Sequence, residues 1–149
     1  MKTGYKVCDV MTLKPVSVSP KTTIAECGIV MAKNHVGSLV VRSGVAIVGL
    51  ITEKDIVRKV VAKNLDPKKT LVEEVMLRKF SVISPEKDVY DALVLMRDKN
   101  IRQVPVMDGR NMVGFLTGKD ILKVQPQLFE LLADKIELRE QDRKLRESS

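Results

Sequence analysis

Apolar positions along the chain switch between a two-residue and a helical period, and each switch marks an element. Val16-Ser17-Val18 and Ser81-Val82-Ile83 alternate like short strands, and the turn signals Ser19-Pro20 and Ser84-Pro85 close them. After each proline the period lengthens. Ile24, Cys27, Gly28 and Met31 fall on one helical face, as do Val89, Ala92, Leu93 and Met96. Thr23 with Glu26, and Asp88 with Asp91, have the spacing of a helix N-cap and its third-position partner. Two strand-like segments follow each helix, 38–41 with 46–51 and 103–106 with 111–116. They are joined across Ser43-Gly44 and Asp108-Gly109, where glycine supplies the positive φ of a tight hairpin. A last helix is predicted to start at Thr52 in one case and at Thr117 in the other. The order is strand, helix, strand, strand, helix, written twice.

The two copies are in register. Met11 recurs as Met76, Ser19-Pro20 as Ser84-Pro85, Met31 as Met96, Gly44 as Gly109, Gly49 as Gly114, Thr52 as Thr117 and Asp55 as Asp120, all at one offset and without a gap. One such unit is small and leaves an apolar sheet face uncovered, so two are expected to bury those faces against each other about a pseudo-twofold axis. The expected fold class is α+β: two β-α-β-β-α repeats, residues 1–66 and 67–124, forming one domain of two halves. From Gln125 the character changes. Pro126 ends the preceding helix, and Leu128, Leu131, Leu132, Lys135, Ile136 and Arg139 keep a three- and four-residue rhythm before a mostly charged end. Residues 125–149 read as an amphipathic helix with a polar tail, packed on its own domain or offered to a second copy or a partner. A membrane-surface helix fits less well, because the polar face mixes both signs.

Composition adds limits. Hydrophobic residues make up 44% of the 149 and aromatics only 3%, with no tryptophan, so the core is expected to be aliphatic. The apolar runs fall far short of the roughly 18 residues that cross a bilayer, and no basic-then-apolar leader opens the sequence. A soluble, cytoplasmic protein is the expectation. Cys8 and Cys27 lack C-x-x-C spacing, so two reduced thiols are expected, with a disulfide as the alternative. A formal net charge of +7 points to an anionic partner, whether phosphate ligand, nucleic acid or acidic protein. Tyr5, Phe80, Tyr90, Phe115 and Phe129 are scattered and form no stacking platform, which counts against nucleic acid.

The stretches most alike are Gly49-Leu50-Ile51-Thr52-Glu53-Lys54-Asp55 and Gly114-Phe115-Leu116-Thr117-Gly118-Lys119-Asp120. Each lies where a strand gives way to a helix. A threonine and an aspartate three apart can be a capping pair and nothing more, the hydroxyl accepting a backbone N–H and the carboxylate suiting the helix dipole. The same arrangement also suits a ligand. Free N–H groups at a helix start favour phosphate, and Lys54 and Lys119 add charge there. Asp55 and Asp120, with two acceptor oxygens each, suit the vicinal hydroxyls of a ribose. The glycine three residues before each threonine would let a ligand approach the backbone closely. Hydroxyl, cation and diol acceptor together describe a nucleotide.

These features together resemble the CBS (cystathionine-β-synthase) domain, which occurs in tandem pairs called Bateman modules. The strand–helix–hairpin–helix order, closed in each copy by Gly-h-h-Thr-x-x-Asp, spans residues 7–60 and 72–124. With no fused catalytic domain, the chain is similar to stand-alone prokaryotic, often archaeal, members. The resemblance implies two clefts between the halves. One would combine Thr117 and Asp120 with Thr12, Val16 and Val36; the other would combine Thr52 and Asp55 with Ser81, Ile101 and Arg102. It implies further that backbone near Ser81 meets an adenine edge, that Ile101 packs on its face, and that phosphates meet basic residues at Arg102 and Lys119. Copy two carries the family's usual Ile101-Arg102-Gln103-Val104-Pro105-Val106, whereas copy one reads Val36-Gly37-Ser38-Leu39-Val40-Val41. Unequal affinities are therefore expected. His35, the only histidine, is expected at the surface or at a helix end.

An enzyme is not expected. One histidine, cysteines without a neighbouring base, no cluster at metal-ligand spacing and no P-loop leave no catalytic or metal residues to name. The resemblance implies a regulatory sensor of AMP, ADP, ATP or S-adenosylmethionine, assembled as a homodimeric disc of four repeats that signals to an effector protein. The alternative is a ligand-independent dimerisation or docking scaffold for a protein or nucleic acid, with Thr-x-x-Asp serving only as caps.

Overall fold

A computed structural model describes residues 2–124; the helix expected over residues 125–149 lies outside them. Along that span come α1 (Val7–Val10), β1 (Ser17–Val18), α2 (Ile24–Asn34), β2 (Ser38–Ser43), β3 (Ala46–Thr52), α3 (Glu53–Ile56) and a π-helical turn (Val57–Val61). Then come α4 (Val72–Val75), α5 (Val89–Lys99), β4 (Gln103–Asp108), β5 (Asn111–Thr117) and α6 (Gly118–Val124). The class is α+β, with one sheet ordered β1-β2-β3 and a second made of β4-β5.

Local chemistry explains most of these elements. Thr23 caps α2 as its spacing requires: its hydroxyl accepts from Glu26 N at 3.2 Å, and the Glu26 carboxylate returns to Thr23 N at 3.4 Å. Both hairpins turn at a glycine of positive φ, Gly44 at 63° and Gly109 at 62°, the first loop residue of a type II′ connection. Both also shift register at the same place, after Val41 and after Val106. Helices α2 and α5 end on left-handed residues, His35 (φ 55°) and Asn100 (φ 56°), so the histidine is an exposed helix cap.

Two expectations are corrected. Residues 81–83 do not form the counterpart of β1; only Ile83 pairs, through a single parallel bridge to Val106. In the first copy Val40 N donates to Val16 O at 3.1 Å, which extends the ladder. Proline has no N–H, so Pro105 cannot make the equivalent bond to Ser81. The second correction concerns Asp88. It caps α5 through Tyr90 N at 2.7 Å rather than forming a box with Asp91, and it also accepts from Thr3 N at 3.0 Å and Thr3 Oγ1 at 3.1 Å.

Burial alone would push the Asp88 carboxyl up, but the bonds from Tyr90 and Thr3 outweigh it and hold the group below its ordinary value. The stabilisation it brings is therefore complete above the unfolded carboxylate value of about 3.9 and is lost as pH falls through the lower folded value. Asp88→Ala is expected to lose roughly 0.5–2 kcal/mol at neutral pH. Urea denaturation followed from pH 7 into acid should show the gap between mutant and wild type closing. A gap that persists below the folded value would contradict the assignment.

The compact units do not follow the two sequence copies. One unit joins residues 2–13 to residues 82–124, and the other is Lys14–Ser81. The exchange is made by the segments that lead each copy. In the first unit Thr12 and Phe115 bond reciprocally at 2.8 and 2.9 Å, and Val7 N donates to Lys87 O at 2.8 Å. In the second, Leu77 and Leu50 bond reciprocally at 2.8 and 3.0 Å, and Val72 N donates to Thr22 O at 2.8 Å. Val7 is wholly buried in a core with Val89, Leu93, Met96, Val104 and Leu116. Val72 is its counterpart in a core with Ile24, Cys27, Leu39, Val41 and Ile51. Both cysteines are free thiols, and burial pushes Cys27 up to about 11, so it stays protonated at neutral pH.

Candidate ligand-binding site

β3 and β5 each end on the threonine that starts the next helix. Thr52 has extended backbone (φ −120°, ψ 162°). Its hydroxyl accepts from Asp55 N at 3.1 Å, while Asp55 Oδ2 accepts from Thr52 N at 3.1 Å and from Thr52 Oγ1 at 3.0 Å. In the other copy Thr117 N donates to Asp120 Oδ2 at 3.0 Å and Asp120 N to Thr117 Oγ1 at 3.3 Å. Both pairs are reciprocal caps. Both aspartates are partly buried.

What else reaches the two carboxylates differs. Thr12 Oγ1 lies 3.2 Å from Asp120 Oδ1 and 3.3 Å from Oδ2. The residue at Thr12's place in the other copy is Leu77, which has no hydroxyl to offer. Asp55 Oδ1 instead meets Lys59 Nζ at 3.5 Å, and that ammonium also donates to Val75 O at 3.0 Å. Sequence reasoning passed over Lys59. The available signal was its position four residues after Asp55 in a helix, the spacing at which a carboxylate and a lysine meet.

The remaining sequence-selected residues fall as follows. Residues 2–13 and 82–124 hold Thr12, Ile101, Arg102, Thr117, Lys119 and Asp120, whereas Lys14–Ser81 holds Val16, Val36, Thr52, Lys54, Asp55 and Ser81. Neither combination drawn from the resemblance therefore lies within a single unit. Arg102, Lys54 and Lys119 have exposed side chains. The Arg102 carbonyl accepts from Gly118 N at 2.9 Å, which holds the arginine beside the start of α6. Ile101 packs partly buried against its own unit's core, and so do Val16 and Val36 in theirs.

Gly49 and Gly114 serve a different purpose from the one expected. A Cβ on Gly49 would lie 2.8 Å from Met76 Cγ and 3.1 Å from Leu77 O, and one on Gly114 would lie 2.8 Å from Met11 Cγ. A methionine of the leading segment fills the space that a ligand was expected to use. The glycines let that segment lie flat on the strand. Among the described residues no group of three or more His, Cys, Asp or Glu side chains could hold a metal ion. No described helix is long and apolar enough to cross a membrane.

The same reciprocal cap thus stands at two strand–helix junctions, once in each copy of the unit. The model of the CBS domain family matches residues 7–62 and again residues 72–126. The chain belongs to the CBS domain family. Its two CBS copies form a tandem pair. Protein MK0525 of Methanopyrus kandleri is 32% identical to it over 120 residues, covering 79% of this chain and 61% of that protein. The pair thus spans about three fifths of that relative's length. CBS domain-containing protein YhcV of Bacillus subtilis is 35% identical over 116 residues, covering 77% of this chain and 81% of the relative. Among solved structures, the CBS domain pair of protein MJ0100, in complex with 5′-methylthioadenosine and S-adenosyl-L-methionine, is similar with a TM-score of 0.71 and 29% identity. That likeness covers 80% of this chain and 94% of the other.

Proposed function

We propose that this CBS pair is a regulatory module that binds an adenosine-type ligand, AMP, ADP, ATP or S-adenosylmethionine, through the carboxylates of Asp120 and Asp55. The observation that carries the reading is the surroundings of Asp120. Its carboxylate stands at a helix start and is met by the neutral hydroxyl of Thr12 at 3.2 Å, a donor that one ribose hydroxyl can replace. Two carboxylate oxygens can accept from both hydroxyls of a vicinal diol. Lys119 and Arg102, exposed in the same unit, offer charge to a phosphate. Val16, Val36, Ser81 and Ile101 are proposed for the adenine side. The likeness to a CBS pair solved with 5′-methylthioadenosine and S-adenosyl-L-methionine supports the ligand class. Ligand then acts by preferring one arrangement of the chain over another, read by a second copy or an effector protein.

Calorimetry against AMP, ADP, ATP and S-adenosylmethionine tests the reading. Saturable binding is expected, and Asp120→Ala should weaken it roughly tenfold to a hundredfold, since hydrogen bonds to a charged group are worth about 1.5–3 kcal/mol. Wild-type protein that binds none of them would overturn it.

A scaffold that needs no ligand is the second reading, and one observation favours it: both aspartates already serve as cap partners. On that reading Asp120→Ala costs roughly 0.5–2 kcal/mol of stability without ligand, and the basic surface binds only polyanions in a salt-sensitive way.

A further inference from the structure

Asp55 and Asp120 occupy the same position in the two copies, yet the donors that face them differ in charge. Asp120 has the neutral Thr12 hydroxyl. Asp55 has the Lys59 ammonium, and Lys59 is not a freely swinging surface lysine. It sits in the π-helical turn Val57–Val61, where Ala62 N bonds to Val57 O at 2.8 Å. A second acceptor, the carbonyl of Val75 at the end of α4, holds the same ammonium at 3.0 Å. The lysine side chain is 37% exposed and that of Asp55 only 20%. Such a pair is less screened than one standing fully in water. The other copy cannot repeat it, because Val124 stands at the place of Lys59.

The oxygens decide the consequence. Asp55 Oδ2 already accepts from Thr52 N and Thr52 Oγ1, so Oδ1 is the atom open to a ligand, and Lys59 stands over it. A neutral diol arriving at Asp55 must displace an ammonium in return for a hydroxyl hydrogen bond. At Asp120 it exchanges one hydroxyl for another. The contact at Asp55 is an ion pair of opposite unit charges at 3.5 Å, whereas that at Asp120 is with a neutral hydroxyl, so the two exchanges are not equivalent.

We propose that Lys59 is a specificity-determining residue that closes the Asp55 site to uncharged nucleosides, so that the Asp120 site fills first. The inference rests on the reading of both aspartates as ligand carboxylates. It also runs opposite to the scaffold reading, in which neither site fills.

The probe is 5′-methylthioadenosine, which carries no phosphate to draw Lys59 to itself. Calorimetric titration of the wild type should show one tight site, lost in Asp120→Asn. Lys59→Met and Lys59→Gln should each gain a second site, about tenfold tighter than the weak residual binding of the wild type at Asp55. That gain should vanish in the double variant Lys59→Met/Asp55→Asn. Circular dichroism melting of every variant establishes that each is folded. Two equal sites in the wild type, or an unchanged titration in both Lys59 variants, would overturn the inference while leaving the proposed function standing. No binding of 5′-methylthioadenosine by any variant, wild type included, would overturn this inference, whereas the proposed function falls only if AMP, ADP, ATP and S-adenosylmethionine fail to bind as well.

Discussion

Replacing Val7 with alanine is expected to loosen the sheet of the second copy, β4 and β5, and to cost about 2–3 kcal/mol of stability. Val7 stands near the start of the chain, yet it is wholly buried in the core that contains Val89, Leu93, Met96, Val104 and Leu116. Removing two methyl groups there forfeits roughly 0.8 kcal/mol each in transfer energy, and the cavity adds to that because packed neighbours close in only partly. Hydrogen exchange locates the effect. Amides of Gln103–Asp108 and Asn111–Thr117 should accelerate by a larger factor than those of Ser38–Ser43 and Ala46–Thr52. A larger acceleration in the first copy's hairpin would contradict the composite unit.

Gly49→Ala carries the second large effect, expected at about 1–3 kcal/mol from overpacking. The added methyl would meet Met76, which is buried, and Leu77 O at 3.1 Å. Backbone yields less readily than the end of a side chain. At Gly114 the three nearest atoms all belong to the flexible Met11 side chain, so Gly114→Ala is expected to cost less than Gly49→Ala. Urea denaturation of the two single mutants reads the difference. Equal costs would mean that the Leu77 carbonyl shifts as easily as the Met11 thioether. A thermodynamic cycle with Met76→Ala should show coupling, because the two residues share one space.

Features that depend on a few neighbouring residues were legible in the sequence. The cap of α2 needs only Thr23 and Glu26, and each hairpin needs only a glycine at positive φ between two apolar runs. The absence of a strand over residues 81–83 was legible in principle too, since Pro105 announces a missing N–H. The Thr-x-x-Asp junctions were readable as caps and as ligand carboxylates alike, because both uses ask for the same residues at the same spacing.

By itself, then, the sequence determined the element order, the doubled unit, the two strand–helix junctions and membership of the CBS family. All of these follow from hydrogen-bond and backbone-angle demands settled within a short stretch, repeated in register. The resemblance had already put Thr12 with Asp120, and their hydroxyl–carboxylate contact spans 108 residues; only the tertiary structure decided that residues 2–13 build the second copy's unit and that methionines cover the two glycines. Burial is indifferent to where in the chain a partner comes from. Hydrophobic period says that Val7 and Met11 need cover but carries no record of which sheet supplies it.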